Sequence, residues 1–216
     1  IQGLSEIADY ILTNNREIYI RTDDSVTSVF RDRECIIRRS RGYVPFPLDI
    51  SAALKLPFNQ IPSVLACGGE LKNTFCLTKG SKAFISHHIG DLENIETLTS
   101  FETGVEHFKA IFSVVPEVLA FDKHPDYLST KFADSLAGIT KIPVQHHHAH
   151  IASCMAENNV SEKVIGVAFD GSGYGDDGQI WGGEFFVGDY FGFERQAHFE
   201  YVPLPGGEIG ITEPWR

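Results

Sequence analysis

The sequence lacks the features that mark several large classes of protein. No apolar run approaches the roughly 18 residues that span a membrane. The first residues, IQGLSEIADYILTNN, contain no basic segment followed by an apolar one, as a signal peptide would. Lysine and arginine number 18 against 29 acidic residues, giving a formal net charge of −11. Because neutralising phosphates needs a basic surface, we expect a cytoplasmic protein with neither a nucleic-acid nor a membrane partner.

Cysteine is scarce, and the Walker A phosphate-loop signature is missing. The cysteines Cys35, Cys67, Cys76 and Cys154 include no CxxC pair, which excludes a zinc ribbon. Four in 216 residues are too few for a disulfide scaffold, so reduced thiols are expected. Cys67 and Cys76 are predicted to be small buried hydrophobes. The Walker A pattern GxxxxGKS/T does not occur.

Charge and proline content divide the chain into a head and a body. Residues 1–41 carry seven basic and seven acidic side chains, so residues 42–216 hold the whole net charge of −11. Proline-rich sequence with Gly42 predicts a linker over residues 42–60. In the head, residues 4–13 are spaced like a short amphipathic helix, and residues 17–21, 26–30 and 35–39 alternate like paired strands. We expect the chain to be a piece of a longer polypeptide.

The body has the pattern of an α/β fold. Three strands (63–69, 73–80 and 82–88) precede a helix over 94–113, a strand over 117–122, a helix over 126–138, a strand over 141–145 and a helix beginning near 145. This order predicts a mixed sheet with helices on its faces. A strand–glycine turn–strand opening occurs at 63–78 and again at 164–187, which indicates a second, similar half.

Two glycine-rich turns open these halves. Glycines let backbone N–H groups converge on an anion, and a neighbouring carboxylate would hold a cation against phosphate. Either turn alone is more often an ordinary β-turn, but two of them fit a nucleotide clamped between lobes. The residues concerned are Gly68, Gly69, Lys72 and Asn73 in the first turn, and Gly171, Gly173 and Gly175 after Asp170 in the second.

Four of the nine histidines lie within five positions, in the stretch VQHHHAHIAS. They could form a metal site, a proton relay or a solvated surface cluster. On a helix, His146 and His150 share one face at i, i+4, while His147 and His148 point elsewhere. With Asp170 at a strand end, the pair would make a two-histidine, one-carboxylate metal site. The adjacent pair His87–His88 is predicted to have a structural or surface role.

Three motifs, VQHHHAHIASCMAEN, AFDGSGYGDDGQIWGGEFF and ACGGELKNTFCLTKG, closely resemble the HypF family, the carbamoyltransferases of NiFe-hydrogenase maturation. The resemblance implies the end of a YrdC-like adenylate-forming α/β domain over 1–41 and a linker over 42–60. A Kae1-like transferase domain of the actin/Hsp70-like (ribonuclease H-like) class would follow, with helices on both faces of a mixed sheet. Its first lobe would span 61–160, and its second would begin at 161 and run to 216.

What the resemblance implies for function is ATP-dependent carbamoyl transfer. Carbamoyl phosphate and ATP would give carbamoyl-adenylate, and the carbamoyl group would pass to the C-terminal cysteine thiolate of a partner maturation protein, for the cyanide ligands of the hydrogenase iron. Zinc or iron would bind His146, His150 and Asp170, with a further aspartate beyond Arg216 and with magnesium also possible. The nucleotide would contact Gly68, Gly69, Lys72, Asn73, Gly171, Gly173 and Gly175, and in the head Ser25 and Arg38.

Other functions stay open from the residues alone. A carbamoyltransferase could have another acceptor, such as an antibiotic hydroxyl or a tRNA adenosine. A sugar-kinase-like ATPase would have no use for the two spaced histidines, and a regulatory metal- or nucleotide-binding module would perform no transfer. His147 or His148 could assist as a base. The chain by itself is expected to be inactive, because the resemblance implies that further segments are needed.

Overall fold

The computed structural model of the chain describes residues 2–54, 57, 60–203, 209–210 and 213. The strands in order are β1 (Val26–Phe30), β2 (Arg33–Arg38), β3 (Leu48–Asp49), β4 (Val64–Ala66), β5 (Cys76–Lys79), β6 (Lys82–Ile85), β7 (Val118–Asp122), β8 (Thr140–Val144), β9 (Val164–Tyr174), β10 (Ile180–Asp189) and β11 (Gly192–His198). The α-helices are α1 (Ile95–Phe112), α2 (Leu128–Ser135) and α3 (His146–Glu157). None of the helices in the described ranges is long and apolar enough to cross a bilayer.

The main sheet has six strands in the order β3-β6-β5-β4-β7-β8. The neighbours β3 and β6, β6 and β5, and β5 and β4 pair antiparallel. The neighbours β4 and β7, and β7 and β8, pair parallel. The parallel pairs need crossover connections, and α1 and α2 provide them. The predicted mixed sheet is therefore confirmed, and the carboxyl ends of β4, β7 and β8 meet at one edge.

An aromatic and aliphatic core holds the six-stranded sheet together. Helix α1 begins where the Asn94 side chain accepts a hydrogen bond from the Thr97 N–H, and its three- and four-residue spacing buries Phe101, Val105 and Phe108. The ring of Phe75 meets those of Phe101 and Phe108 edge-on. From the strands and from α2 the buried members include Leu65, Cys67, Leu77, Leu119 and Ala133. The prediction that Cys67 is buried is confirmed, while Cys76 is half-buried.

A second sheet, in the order β11-β10-β9, packs against α3. Ile151 and Met155 of α3 form a small cluster with Ala168, Trp181 and Phe186. Alternate residues of β9 point away from this cluster, and Ile165 and Phe169 are 78% and 66% exposed. The alternation of period two therefore continues along β9, although only one face of this sheet is covered by the described residues.

Two predictions for the head were wrong. Residues 4–13 form no helix: a 3₁₀ turn covers Gln2–Leu4, and Tyr10 and Leu12 are fully exposed. A ten-residue amphipathic helix is marginal without a surface to cover its apolar face, and none of the described residues buries these side chains. Residues 17–21 form no strand either, whereas 26–30 and 35–39 correspond to the hairpin β1–β2.

The predicted linker contains part of the sheet. Leu48 and Asp49 form β3, which pairs with Ala83 and Lys82 of β6 at the sheet edge. Prolines are tolerated beside edge strands because the outer N–H groups need no partner, so the proline content did not exclude a strand. Residues 55, 56, 58 and 59 lie outside the described residues, and the domain boundaries at 41, 60 and 160 stay predictions.

The glycine turn predicted to follow Asp170 was also placed wrongly. Residues 170–174 lie within β9, where Gly173 pairs with Trp181 of β10, and the turn lies at 175–179. An ideal Cβ on Gly173 would stand 2.4 Å from Cε1 of His147. Glycine at this position therefore permits close packing in a strand, which sequence spacing does not distinguish from a turn.

Candidate metal centre

The candidate site lies at the edge where three parallel strands end. Gly68 and Gly69 follow β4, Asp122 is the last residue of β7, and His146 lies two residues beyond the end of β8. In open α/β sheets the carboxyl ends of the strands are the usual place for ligands, because the connecting loops there are free to diverge. The topology thus brings together residues from three separate segments of the chain.

The three predicted metal ligands converge. The Nε2 atoms of His146 and His150 are 3.1 Å apart, and Nε2 of His146 lies 3.3 Å from Oδ2 of Asp170. One donor atom from each of the three residues falls within 4.8 Å of the others. Oδ2 of Asp170 is buried and has no hydrogen-bond partner among the described residues. Two imidazole nitrogens facing an unpartnered carboxylate oxygen are a donor set that fits zinc or iron(II).

Sequence reasoning missed Asp122, which contacts the first histidine directly. Its Oδ2 lies 2.6 Å from Nδ1 of His146, and its Oδ1 accepts a hydrogen bond from the N–H of His124. The contact with the Asp122 carboxylate, and then the contact with that of Asp170, raise the pKa of His146 to about 9. A carboxylate on the far nitrogen of a ligand histidine fixes which nitrogen faces the metal. The signal in the sequence was an acidic residue ending the buried strand VLAFD.

Of the other two histidines of the motif, His148 points away from the ligand pair, as predicted, whereas His147 lies beside Asp170. His148 packs against the rings of Phe186 and Phe193. His147 is fully buried, neither of its ring nitrogens has a hydrogen-bond partner among the described residues, and its Nε2 lies 3.7 Å from Oδ2 of Asp170. Burial lowers the pKa of His147, so its ring is neutral at pH 7. The pair His87–His88 was predicted to have a structural or surface role. His87 is buried and His88 is half-buried.

A cavity of about 360 Å³ opens beside the ligand pair. Its wall includes Gly68, Gly69 and Asp122 on the sheet side and His146, His150 and Ser153 on the helix side. Gly68 has a φ of +68°, and an ideal Cβ there would stand 2.3 Å from the carbonyl oxygen of Thr74. The first glycine turn therefore forms part of the site wall, where backbone replaces side chains.

The remaining residues predicted to contact nucleotide lie away from this cavity wall. The buried amide of Asn73 donates to the carbonyl oxygens of Cys67 and Gly69, which holds the first glycine turn in place. Lys72 is exposed and its backbone N–H donates to Asp91.

The other residues predicted to contact nucleotide lie in β9, in the turn after it and in the head. Gly171 is exposed, and Gly173 and Gly175 are packed against His147 and Trp181. In the head, the Ser25 hydroxyl donates to the Arg41 carbonyl, and Arg38 faces Asp23. For all of these residues, nucleotide contact stays a prediction.

Two family models match successive parts of the chain. The family model described as the HypF Kae1-like domain matches residues 59–157. The model described as the second subdomain of the carbamoyltransferase Kae1-like domain matches residues 166–216. Over the whole chain, the sequence is 46% identical to carbamoyltransferase HypF2 of Cupriavidus necator, of which it covers 26%. It is 34% identical to the probable carbamoyltransferase HypF of Methanocaldococcus jannaschii, of which it covers 28%.

Two solved structures of HypF proteins are also similar to this chain. A full-length HypF crystallised in a phosphate- and nucleotide-bound form matches 96% of this chain with a TM-score of 0.88 and 55% identity, over 32% of its own length. A HypF from T. kodakarensis matches with a TM-score of 0.83 and 42% identity, over 26% of its length. The chain thus spans about a quarter to a third of these relatives. Two adjoining family models and two close structural matches show that the chain belongs to the HypF carbamoyltransferase family.

Proposed function

We propose that this chain carries the carbamoyl-transfer site of a HypF-type enzyme. The overall reaction would use carbamoyl phosphate and ATP, pass through carbamoyl-adenylate, and deliver the carbamoyl group to a C-terminal cysteine of a hydrogenase maturation partner. The observation that carries the proposal is the meeting of His146, His150 and Asp170 beside the glycine-walled cavity. Family membership supports the carbamoyl chemistry, and the metal-ligand geometry supports where in the chain it occurs.

His146, His150 and Asp170 would hold a divalent cation, zinc or iron. When bound, such a cation supplies Lewis-acid polarisation of the carbamoyl carbonyl and balances charge on the departing phosphate. Asp122 accepts the Nδ1 proton of His146, which leaves Nε2 free to face the cation. In this proposal His146, His150 and Asp170 bind the cation, and Asp122 orients the ring of His146.

The transfer itself needs little help from a protein base. The acceptor thiolate attacks the carbamoyl carbon, a carbon–sulfur bond forms, and the bond between that carbon and the phosphate oxygen breaks to release AMP. A thiolate is already the nucleophile, so its proton has left before the step. Gly68 and Gly69 line the cavity wall without side chains, and such glycine-lined walls suit a phosphate-bearing substrate. The phosphate and nucleotide bound to the solved relative support this assignment.

The first test is metal content, measured by mass spectrometry on this 216-residue chain and on a complete HypF-type protein that contains it. We expect about one equivalent of zinc or iron in the wild type and its loss in the double variant His146→Ala/His150→Ala, since two of three ligands are removed. The matched control is His148→Ala, on the same helix but packed against Phe186 and Phe193, which should keep the metal.

A second measurement addresses the chemistry. In the complete protein, transfer of labelled carbamoyl from carbamoyl phosphate and ATP to a peptide ending in cysteine should disappear in the double variant and persist in His148→Ala. Absence of metal from the wild-type complete protein would overturn the metal centre. Transfer to an antibiotic hydroxyl or to tRNA, but not to the peptide, would overturn the proposed acceptor.

A further inference from the structure

The side chain of Gln145 connects the two parts of the candidate metal centre. It precedes helix α3, which carries His146 and His150, and it is 3% exposed. Its Oε1 accepts hydrogen bonds from the N–H groups of His147, at 2.6 Å, and His148, at 3.3 Å. Its Nε2 donates to the carbonyl oxygen of Tyr174, at 2.9 Å. One buried amide therefore binds both the start of the histidine helix and the strand that carries Asp170.

Glutamine is an unusual residue to begin a helix. Serine, threonine, aspartate and asparagine are preferred there, because a short side chain reaches the N–H groups of the first turn most easily. Their side chains could cap α3, but serine, threonine and aspartate offer no amide donor, and asparagine is one methylene shorter. Only the longer amide both accepts from the helix and donates across to Tyr174. Helix capping by itself does not explain the choice of residue.

A second polar connection runs from this edge of the sheet to the turn after β9, and it is weaker. Lys123 pairs with Asp176 at 2.6 Å, but the two side chains are 33% and 43% exposed. Exposed pairs of this kind contribute little because water and salt screen them. The buried amide of Gln145 is not screened in this way, so it is the stronger of the two restraints.

We infer that Gln145 is a positioning residue for the metal centre: its amide sets the distance between the histidine pair on α3 and Asp170 on β9. This inference rests on the proposed function and adds to it a residue that touches neither the cation nor the substrate. The ligands come from separate segments, and Asp170 lies four residues before Tyr174 on the same strand. Releasing Tyr174 would let β9 shift relative to α3, and a shift of a fraction of an ångström is enough to weaken a metal site.

The test is Gln145→Asn in the full chain. Asparagine is neutral and a favoured capping residue, so α3 should stay capped while the bond to Tyr174 is lost. We expect zinc affinity, measured by competition with a chelator, to fall at least about 10-fold, as for other groups that orient metal ligands. The melting temperature of the metal-free protein should change little. Hydrogen exchange should accelerate at the amides of 171–175 and stay slow within α3.

Two further variants separate positioning from a general loss of structure. Gln145→Met keeps the size but loses both functions, so exchange should accelerate in α3 as well as in β9. Asn94→Ala removes the cap of the distant helix α1 and should lower the melting temperature while zinc affinity stays unchanged.

Wild-type zinc affinity and unchanged β9 exchange in Gln145→Asn would overturn the inference. If the wild-type complete protein binds no zinc, the proposed metal centre fails, and the exchange comparison still decides whether Gln145 couples the two elements.

Discussion

The two larger sheets of this protein are stabilised in different ways. The six-stranded sheet lies against a continuous apolar core to which α1, α2 and several strands contribute, with Phe101 completely buried. The three-stranded sheet has a smaller apolar cluster on one face. On this sheet the side chains of Glu184, Asp177 and Tyr201 surround Arg195, whose guanidinium also lies over the Trp181 ring at 4.2 Å.

The difference matters because the candidate metal centre draws on both sheets. The histidines follow β8 of the first sheet, whereas Asp170 lies in β9 of the second. Helix α3 belongs to both, since it starts at the edge of the first sheet and packs Ile151 and Met155 on the second. The geometry of the centre therefore depends on how firmly the more thinly packed sheet is held against α3.

The largest expected effect compares a buried with an exposed phenylalanine. Phe101→Ala should lower the free energy of unfolding by about 3–5 kcal/mol, because it removes buried surface and leaves a cavity. Phe169→Ala, on the exposed face of β9, should cost less than about 1 kcal/mol. Urea unfolding monitored by circular dichroism measures both. Equal losses would show that the exposed face of the second sheet is covered in solution.

A smaller effect is expected at two glycines of β9. An ideal Cβ on Gly173 would clash with the buried ring of His147, whereas Gly171 has no atom within 4 Å of that position. Gly173→Ala should destabilise the protein by about 1–3 kcal/mol through overpacking, and Gly171→Ala should stay within about 0.5 kcal/mol. The shift of the urea unfolding midpoint in each variant measures its change in stability. A neutral Gly173→Ala would contradict the close packing of β9 on the histidine helix.

The smallest effect concerns pH. In the metal-free protein the raised pKa of His146, about 9 against 6.5 when unfolded, contributes stability that is complete below pH 6.5 and is lost as the pH rises towards 9. Asp122→Asn removes the largest cause of the shift, so the decline in unfolding free energy between pH 6.5 and 9 should become shallower. Urea unfolding at several pH values, with NMR titration of His146, measures this. Identical slopes in both proteins would rule out the Asp122 contact as the cause.

Much of the six-stranded sheet and its helices could be predicted from local patterns. The helix spacing in 94–113 and the strand in VLAFD each reflect a face that is buried against one core, and both were predicted within a few residues. The spacing of His146 and His150 likewise needed only the periodicity of an α-helix. Failures occurred where a pattern had two physical causes: the glycines after Asp170 fit a turn as well as a tightly packed strand, and residues 4–13 had helical spacing but no surface to cover.

The sequence by itself determined the family, the mixed α/β class and the three residues most suited to bind a metal, because these depend on residue type and on spacing within short segments. Tertiary structure alone decided that Asp122 orients His146, that His147 is buried against Gly173, and that Gln145 reaches Tyr174. Those contacts join residues about 24 to 29 positions apart, and their distances are set by the pairing of strands and by the packing of α3 between the two sheets.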